Sequence, residues 1–443
     1  MGNITTKPKT EDADIKSFLR DVKEKFDSKW EMAYMNDKLV EFFNVNDFEP
    51  YKTVGVGSFG RVMVCHKKEG DMLLAVKCIR KECIIEKKQL DHTYSEYKIL
   101  ATVPPIPFLV NMVSFGQDNA NLYMTFEFVP GGELFSLLRS VGKLPEVTAS
   151  FYGAQIAAAL EYLHNLDILF RDLKPENILF AANGYLKLTD FGFAKRCLGR
   201  TFTMCGTPEY LAPEVILCHG YHKAVDWWSF GVLMYEMVCG TTPFCSNNPM
   251  EIYKQEWLQK CHEMRAKQVG VRFNKSRFFK ISTCGSGAES SQESSMEFSG
   301  SSLNVSSFDS ETSPEHGPCS LTRGISKLIH LATEKGDKEI AEAVDYPEFV
   351  SENFKDFISK ILQPNPTKRL GNLHNGSFDI KHHPLFAKVP WTSLFRQIIK
   401  APYSPKFEGP SDTQNYKAFD SVISLGALND DKYAELFSIF PYE

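Results

Sequence analysis

An α+β fold in two lobes is expected for this chain: a small antiparallel sheet carrying one regulatory helix over residues 48–128, and a larger, mainly helical body over residues 129–386. Three observations lead there. A short apolar-aromatic segment lies just ahead of Gly55-Val-Gly57-Ser-Phe-Gly60, and apolar residues after it read as strands at Val62 and Val64 and again across Leu74-Ala75-Val76. A hydrophobic helical stretch runs from Phe151 to Leu163. A chain of 443 residues is also long enough to bury two lobes rather than one.

The segment ahead of the sheet, residues 1–47, reads as a tail. Met1-Gly2-Asn3-Ile4-Thr5-Thr6 fits the pattern in which methionine is removed and Gly2 is myristoylated. A single acyl chain gives only marginal attachment, so reversible membrane contact, or docking of the chain on the protein surface, is expected. From Asp12 to Trp30 the residues Ile15, Phe18, Leu19, Val22, Phe26 and Trp30 recur at steps of three and four, the mark of an amphipathic helix.

The glycine spacing Gly55-x-Gly57-x-x-Gly60 also serves dinucleotide sites, where it opens a helix. Here strands flank it, so the glycines bend a hairpin, and a nicotinamide-dependent oxidoreductase is excluded. Residues without Cβ atoms let the backbone of Gly55, Gly57, Ser58, Phe59 and Gly60 come close over phosphate oxygens. Lys77, in an apolar strand, needs a partner for its charge. Glu96, in the helical stretch Tyr94 to Leu100, is the natural one, with Tyr97 and Leu100 free to pack. Further on, Phe170-Arg171-Asp172-Leu173-Lys174-Pro175-Glu176-Asn177 sets several polar groups on one loop between packed elements, and Asp190 follows the strand Leu186 to Leu188.

In this order the glycine loop, Ala75-Val-Lys77, Arg171-Asp172 with Asn177, and Asp190-Phe-Gly192 form the protein-kinase signature. Outside an insertion at about 257–344, the chain resembles the catalytic subunits of cAMP-dependent protein kinases, within the AGC group of serine/threonine kinases. Val129-Pro-Gly-Gly-Glu-Leu-Phe135, Cys205-Gly-Thr-Pro-Glu-Tyr-Leu-Ala-Pro-Glu214, Asp226-Trp-Trp-Ser-Phe-Gly231, Thr367-Lys-Arg-Leu-Gly371 and a tail over 387–443 that closes on Phe437-Ser-Ile-Phe440 extend the likeness.

The resemblance implies a bilobal kinase fold that transfers the γ-phosphate of ATP, with Mg²⁺, to Ser/Thr preceded by basic residues. Lys77, paired with Glu96, would orient the α and β phosphates. Asp172 would orient the substrate hydroxyl and accept its proton, Lys174 would meet the transferring phosphoryl group, and Asn177 and Asp190 would hold the metal. The adenine would meet the backbone of Glu127 and Val129 in a slot lined by Val54, Val62, Ala75, Leu179 and Thr189 and closed by Tyr416. Glu133, Glu176 and Glu236 would receive arginines ahead of the target residue, with Glu209 adding to the negative rim. Met204, Pro208 and Leu211 would take an apolar residue after it. Thr203, on a loop that also holds Lys195, Arg196 and Arg200, is the expected activating phosphosite, its phosphate held by Arg171, Lys195 and His92.

The chain also departs from this pattern. Phe170 stands where a histidine or tyrosine is usual, Phe126 where a methionine backs the adenine, and Thr241 where an aromatic lies near Glu236. The insertion has a serine-rich core, 281–322, whose composition reads as disordered. It falls where such kinases dock a cyclic-nucleotide-binding regulatory subunit; that subunit and a pseudosubstrate inhibitor are the partners the resemblance implies. Pro441, just after Phe440, offers no hydroxyl for the phosphorylation seen in many relatives, and Ser421 and Ser424 are candidate tail phosphosites.

A net charge of −5 argues against nonspecific nucleic-acid binding. Eleven cysteines without a Cys-x-x-Cys pair, no secretory leader and no membrane-length apolar run point to a cytoplasmic or nuclear compartment. A kinase-shaped scaffold with little catalysis is the second reading, and the intact set Lys77, Asp172, Asn177 and Asp190 opposes it.

Overall fold

The computed structural model describes residues 8–33, 39–57, 60–68, 70, 73–244, 344–409, 412–417, 419 and 433–441. Gly2, Ser58, Phe59, the insertion over 257–343 with its core 281–322, and Ser421 and Ser424 lie outside the described residues, as does the side chain of Ile15.

β-Branched and apolar residues build the small lobe. Its strands are β1 (Glu41–Phe42), β2 (Phe48–Val56), β3 (Gly60–Lys67), β4 (Leu73–Arg80), β5 (Met112–Gln117) and β6 (Asn121–Glu127), in the spatial order β1-β5-β6-β4-β3-β2. The five long strands pair antiparallel as the sequence suggests, and the two-residue β1 adds a parallel edge on β5. Between β4 and β5 the chain forms α2 (Lys81–Glu86) and α3 (Leu90–Thr102), and α3 buries Glu96, Tyr97 and Leu100. Its extent is longer than the Tyr94–Leu100 stretch because Thr102 closes the last turn, its hydroxyl donating to Lys98 O at 2.6 Å.

The large lobe is organised on two apolar helices, α5 (Glu146–Asn165) and, later in the chain, α7 (Ala224–Cys239). Before them lies α4 (Leu134–Val141); between them run β7 (Ile168–Leu169), β8 (Ile178–Phe180), β9 (Leu186–Leu188), β10 (Lys195–Arg196) and the short α6 (Pro213–Ile216). Gly240, at φ 83°, ends α7 in a left-handed cap that few residues but glycine adopt readily. After the insertion, α8 (Glu352–Ile361) starts where the Ser351 hydroxyl accepts from Phe354 N at 3.2 Å. The fully buried Arg369 then forks onto Glu214 at 2.6 and 2.9 Å and stacks over Trp228, locking α6 to the lobe's end.

Both tails lie on this body. The first helix, α1 (Pro8–Met32), buries Val22 and Phe26, while Phe18 is 42% exposed and only its edge meets Phe395. Phe18 therefore sits at the margin of the apolar stripe. Polar ties hold the helix down: Lys23 pairs with Asp167 at 2.6 Å, and Asn165 donates to Leu19 O at 2.7 Å. At the other end, α9 (Ser377–Lys381) and α10 (Trp391–Phe395) lead to a tail that finishes in α11 (Ala434–Phe437). Phe437 and Phe440 are fully buried beside α3, and Phe440 stacks on Phe115 at 5.6 Å and meets Tyr97 at 5.8 Å and Tyr94 at 5.5 Å.

Truncating a buried phenylalanine in a well-packed site costs about 3–5 kcal/mol. The double change Phe437→Ala and Phe440→Ala is expected to lower the melting temperature by several degrees and peptide phosphorylation with it, because Tyr97 neighbours Glu96. Calorimetry and a kinase assay on the same preparation check this; an unchanged melting temperature with full activity would show that the tail contributes nothing.

Candidate active site

The glycine loop joins β2 to β3 as a hairpin, and its glycines serve different ends. A Cβ on Gly60 would lie 1.9 Å from the carbonyl oxygen of Cys78 on β4, so this glycine is required by the sheet. Around Gly55 and Gly57 the nearest atoms to such a Cβ are 3.6 and 3.9 Å away, leaving room above the turn, where Gly57 N donates to Gly60 O at 2.9 Å.

Beneath it, Lys77 on β4 donates to Glu96 of α3 at 2.6 Å and to Asp190 at 3.3 Å. Burial works against the charge on Lys77, but the two carboxylates outweigh it and hold the ammonium protonated, its pKa above the ordinary lysine value. Asp190 is correspondingly held below the usual carboxylate range, chiefly by Lys77. Its backbone is left-handed, at φ 59°, and Gly192 N donates to its side chain at 3.3 Å.

The polar loop between β7 and β8 is shaped from below by Asp226 in the first turn of α7. This fully buried carboxylate accepts from Phe170 N at 2.9 Å and Arg171 N at 2.8 Å and meets His164 Nε2 at 2.8 Å. Those bonds support Arg171 in a left-handed conformation, φ 69°, which costs a non-glycine residue about 1–3 kcal/mol. Phe170, fully buried, packs edge-on against Phe191, so the position usually held by histidine or tyrosine serves here as apolar packing.

Above the bend, Asp172 is engaged through both oxygens. Thr207 donates its hydroxyl to Oδ1 at 2.7 Å, Lys174 meets Oδ2 at 2.9 Å, and Asn177 Nδ2 donates to Oδ2 at 2.9 Å. Lys174 in turn donates to Thr207 Oγ1 at 2.9 Å. With its amide nitrogen committed to Asp172, Asn177 has its amide oxygen left to offer, and the Thr189 N to Asn177 O bond at 3.0 Å ties this loop to the Asp190 segment. An amide oxygen and an ionised carboxylate are the hard donors that Mg²⁺ prefers. This ion takes the rest of its shell from water and phosphate.

Val54, Val62, Ala75, Leu179 and Thr189 are each half-buried, as is Phe126, which pairs with Ala75 across the sheet. The Glu127 side chain turns aside to Asn111 and Lys187, so only its backbone is left for an adenine. The tail comes across here. Tyr416 donates its hydroxyl to Val129 O, and Asn415 Nδ2 donates to Pro130 O at 3.0 Å, an approach close enough that a Cβ on Gly132 would lie 2.7 Å from Asn415 O.

On the loop after β10, Thr203 is linked to the catalytic loop through one side chain: Tyr221 donates to Thr203 O, and Arg171 Nη1 donates to the same hydroxyl at 3.1 Å. His92 lies near enough to Arg171 and Lys195 that, after burial, their charges hold its pKa below the ordinary histidine value. Arg196 leaves this group. It pairs with Asp27 and stacks on Phe26 and Trp30 of α1 at 5.0 and 4.9 Å.

Residues 48–386 match the protein kinase domain model. The chain belongs to the protein kinase family. It is 34% identical over 400 residues to cAMP-dependent protein kinase type 3 of Saccharomyces cerevisiae, covering 90% of this chain and 79% of that one. To the human cAMP-dependent protein kinase catalytic subunit PRKX it is 35% identical over 399 residues, 90% of this chain and 88% of the relative. To cAMP-dependent protein kinase catalytic subunit 2 of Drosophila melanogaster it is 32% identical over 429 residues, 96% of each. The chain is an ATP-dependent serine/threonine protein kinase.

Around the kinase cleft four carboxylates feel one another. Burial raises the pKa of Glu133, Glu176 and Glu209, with Glu176 adding to the shift of Glu133 and of Glu209. Burial pushes Glu236 up to about 7, against the pull of the Tyr210 hydroxyl that donates to it. One oxygen of Glu176 is buried with no hydrogen-bond partner among the described residues. Met204, Pro208 and Leu211 are half-buried on the neighbouring loop, and Thr241 is exposed.

Sequence reasoning missed Thr207 as a site residue. The signal was Gly206 at φ 110°, where a Cβ would lie 2.6 Å from Arg171 O: a glycine that lets one loop touch another. If Thr207 orients Asp172 and Lys174, Thr207→Ala is expected to lower kcat about tenfold or more while the KM for ATP stays near normal. Steady-state kinetics decide, and an unchanged kcat would remove the role.

Proposed function

We propose that this kinase phosphorylates serine or threonine in segments carrying arginines two and three residues ahead of the target. The observation that carries the reading is the nest of half-buried Glu133, Glu176, Glu209 and Glu236, whose mutually repelling carboxylates include a buried oxygen of Glu176 with no partner among the described residues. Guanidinium forks relieve both the repulsion and the missing bond. Met204, Pro208 and Leu211 then receive an apolar residue following the target.

In the reaction, Lys77 steadied by Glu96 draws the α and β phosphates of ATP into register, under the backbone of Gly55, Gly57, Ser58, Phe59 and Gly60. Asn177 and Asp190 would hold Mg²⁺, which when bound would offset phosphate charge. Asp172 orients the substrate hydroxyl and takes its proton, in the place where Thr207 now donates, and Lys174 faces the transferring group. A phosphate on Thr203 draws Arg171, Lys195 and His92 together and so couples the loop to α3.

The relatives are named as cAMP-dependent, which supports control by a cyclic-nucleotide-binding regulatory subunit or a pseudosubstrate inhibitor presenting arginines to the same acids. The kinase domain spans 48–386, with an N-terminal tail of 1–47 acylated at Gly2 and a C-terminal tail of 387–443. No helix of the described residues is long and apolar enough to cross a membrane. Cytoplasmic or nuclear residence, with reversible membrane contact through Gly2, fits this organisation.

Asp172→Asn is expected to bind ATP normally and lose nearly all turnover, since only proton acceptance and positioning are removed; nucleotide titration beside a peptide assay checks it, and near-normal turnover would sink the assignment.

For specificity, a peptide with arginines two and three residues before serine should be used roughly ten- to a hundred-fold better per arginine than its alanine version, the worth of a charged hydrogen bond. Glu236 adds a pH signature. Below its pKa of about 7 it is neutral and cannot pair with a guanidinium; above it the anion forms. The KM of the arginine peptide should therefore fall as pH rises from 6 to 8, that of the alanine peptide should stay flat, and Glu236→Gln should erase the difference. Equal pH profiles for both peptides would refute the assignment of Glu236.

A further inference from the structure

At the end of β5, Gln117 faces the last turn of the chain. Its Nε2 lies 3.5 Å from Phe437 O, 3.3 Å from Phe440 O and 3.2 Å from Pro441 O, so one amide group gathers three backbone carbonyls of the C-terminal segment. Its Oε1 is buried and has no hydrogen-bond partner among the described residues. That orientation is the informative part. Turning the amide over would bring Oε1 against three carbonyl oxygens, so the side chain is held with its donors toward the tail even though its own acceptor is left unsatisfied.

The tail has its own reason to need such a donor. After Phe440 comes Pro441, which has neither a side-chain hydroxyl nor an N–H, and the segment turns with Phe437 O, Phe440 O and Pro441 O facing the same way. The rings beneath are in contact with the catalytic helix: Phe440 lies 5.8 Å from Tyr97, the residue after Glu96, and 5.5 Å from Tyr94 one turn back.

We propose that Gln117 is a positioning residue for phosphoryl transfer: by donating to the carbonyls of Phe437, Phe440 and Pro441 it seats the aromatic anchor against α3 without any phosphate, and so holds Glu96 on Lys77. The amide acts through the tail and touches neither nucleotide nor substrate. The inference rests on the assignment of Glu96 as the partner of Lys77.

Substitutions at this one position separate donation from packing. Gln117→Glu keeps the shape but offers only oxygens to three oxygens; Gln117→Lys offers only donors; Gln117→Ala removes both. In the full-length kinase acting on a basic serine peptide, Gln117→Glu is expected to lower kcat about tenfold and raise the KM for ATP, Gln117→Ala to do so less, and Gln117→Lys to restore kcat to within about twofold, on the scale of one or two lost hydrogen bonds. The KM for peptide should not move in any of them, because the acids that receive it belong to the other lobe. In a Phe440→Ala background the Glu substitution should add nothing further.

Equal kcat for the Glu and Lys variants, or the same loss with and without Phe440, would overturn the proposal. Should the Glu variant fail to fold, the Ala and Lys pair carries the same comparison. A Glu96→Gln enzyme with unchanged kcat would instead overturn the underlying pairing, whatever Gln117 does.

Discussion

Lys77, Glu96 and Asp190 place three charges within hydrogen-bond reach in a cleft that burial makes unfavourable for each alone. Glu96 is the buried member, so removing Lys77 would strand its carboxylate out of water, while Asp190, 47% exposed, is partly screened by solvent. The three come from a central strand, a helix and the segment after β9. The pairing is therefore a condition on how three separately built pieces meet. What holds α3 in place becomes part of the catalytic centre at a distance: the stack of Phe440 on Phe115, and Lys98 over Trp30 at 4.5 Å, tie that helix to both ends of the chain.

The large lobe answers with a rigid counterpart. Asp226 and His164 make a buried hydrogen-bonded support under the catalytic loop, and the Arg369 fork on Glu214 fixes the neighbouring segment with a buried charge pair. Against this the backbone at Arg171 and Asp190 is left-handed, so the two loops that meet at the cleft each carry local strain. Bonds to backbone N–H groups offset it, which is why Asp226 is committed to Phe170 and Arg171 rather than to any substrate.

Much of this centre was legible in the sequence because phosphoryl transfer restricts residue type and spacing together. Lys77, Glu96, Asp172, Asn177 and Asp190 could be paired on paper since few other residues supply those charges and donors in that order. Contacts between loops were not legible. Thr207 looked like any polar loop residue until Gly206, close against Arg171 O, let it reach Asp172, and Arg196 seemed one of a basic run until α1 took it away to Asp27. The glycine motif carries a further constraint: its third member also answers to the oxygen of Cys78, a sheet contact that spacing alone cannot reveal. Helix α1 was visible by period, but the exposed margin at Phe18 depends on Phe395, some 377 residues on.

Asymmetry between the two sides of the cleft follows from the same electrostatics. On the nucleotide side each acid already has a cation: Glu96 and Asp190 share Lys77, and Asp172 has Lys174. On the other side Glu133, Glu176 and Glu209 are drawn up in pKa by burial and, for Glu133 and Glu209, by a neighbouring carboxylate, against the weaker pull of Lys417 and Lys174 on Glu133, of Lys174 and Arg139 on Glu176, and of Arg139 on Glu209. A fold that satisfied these acids internally would be more stable and would bind arginine less well. Under the proposed arginine specificity, holding these acids in burial costs the free enzyme stability that a basic segment would return on docking, whereas on the nucleotide side Lys77 and Lys174 already offset the acids around them.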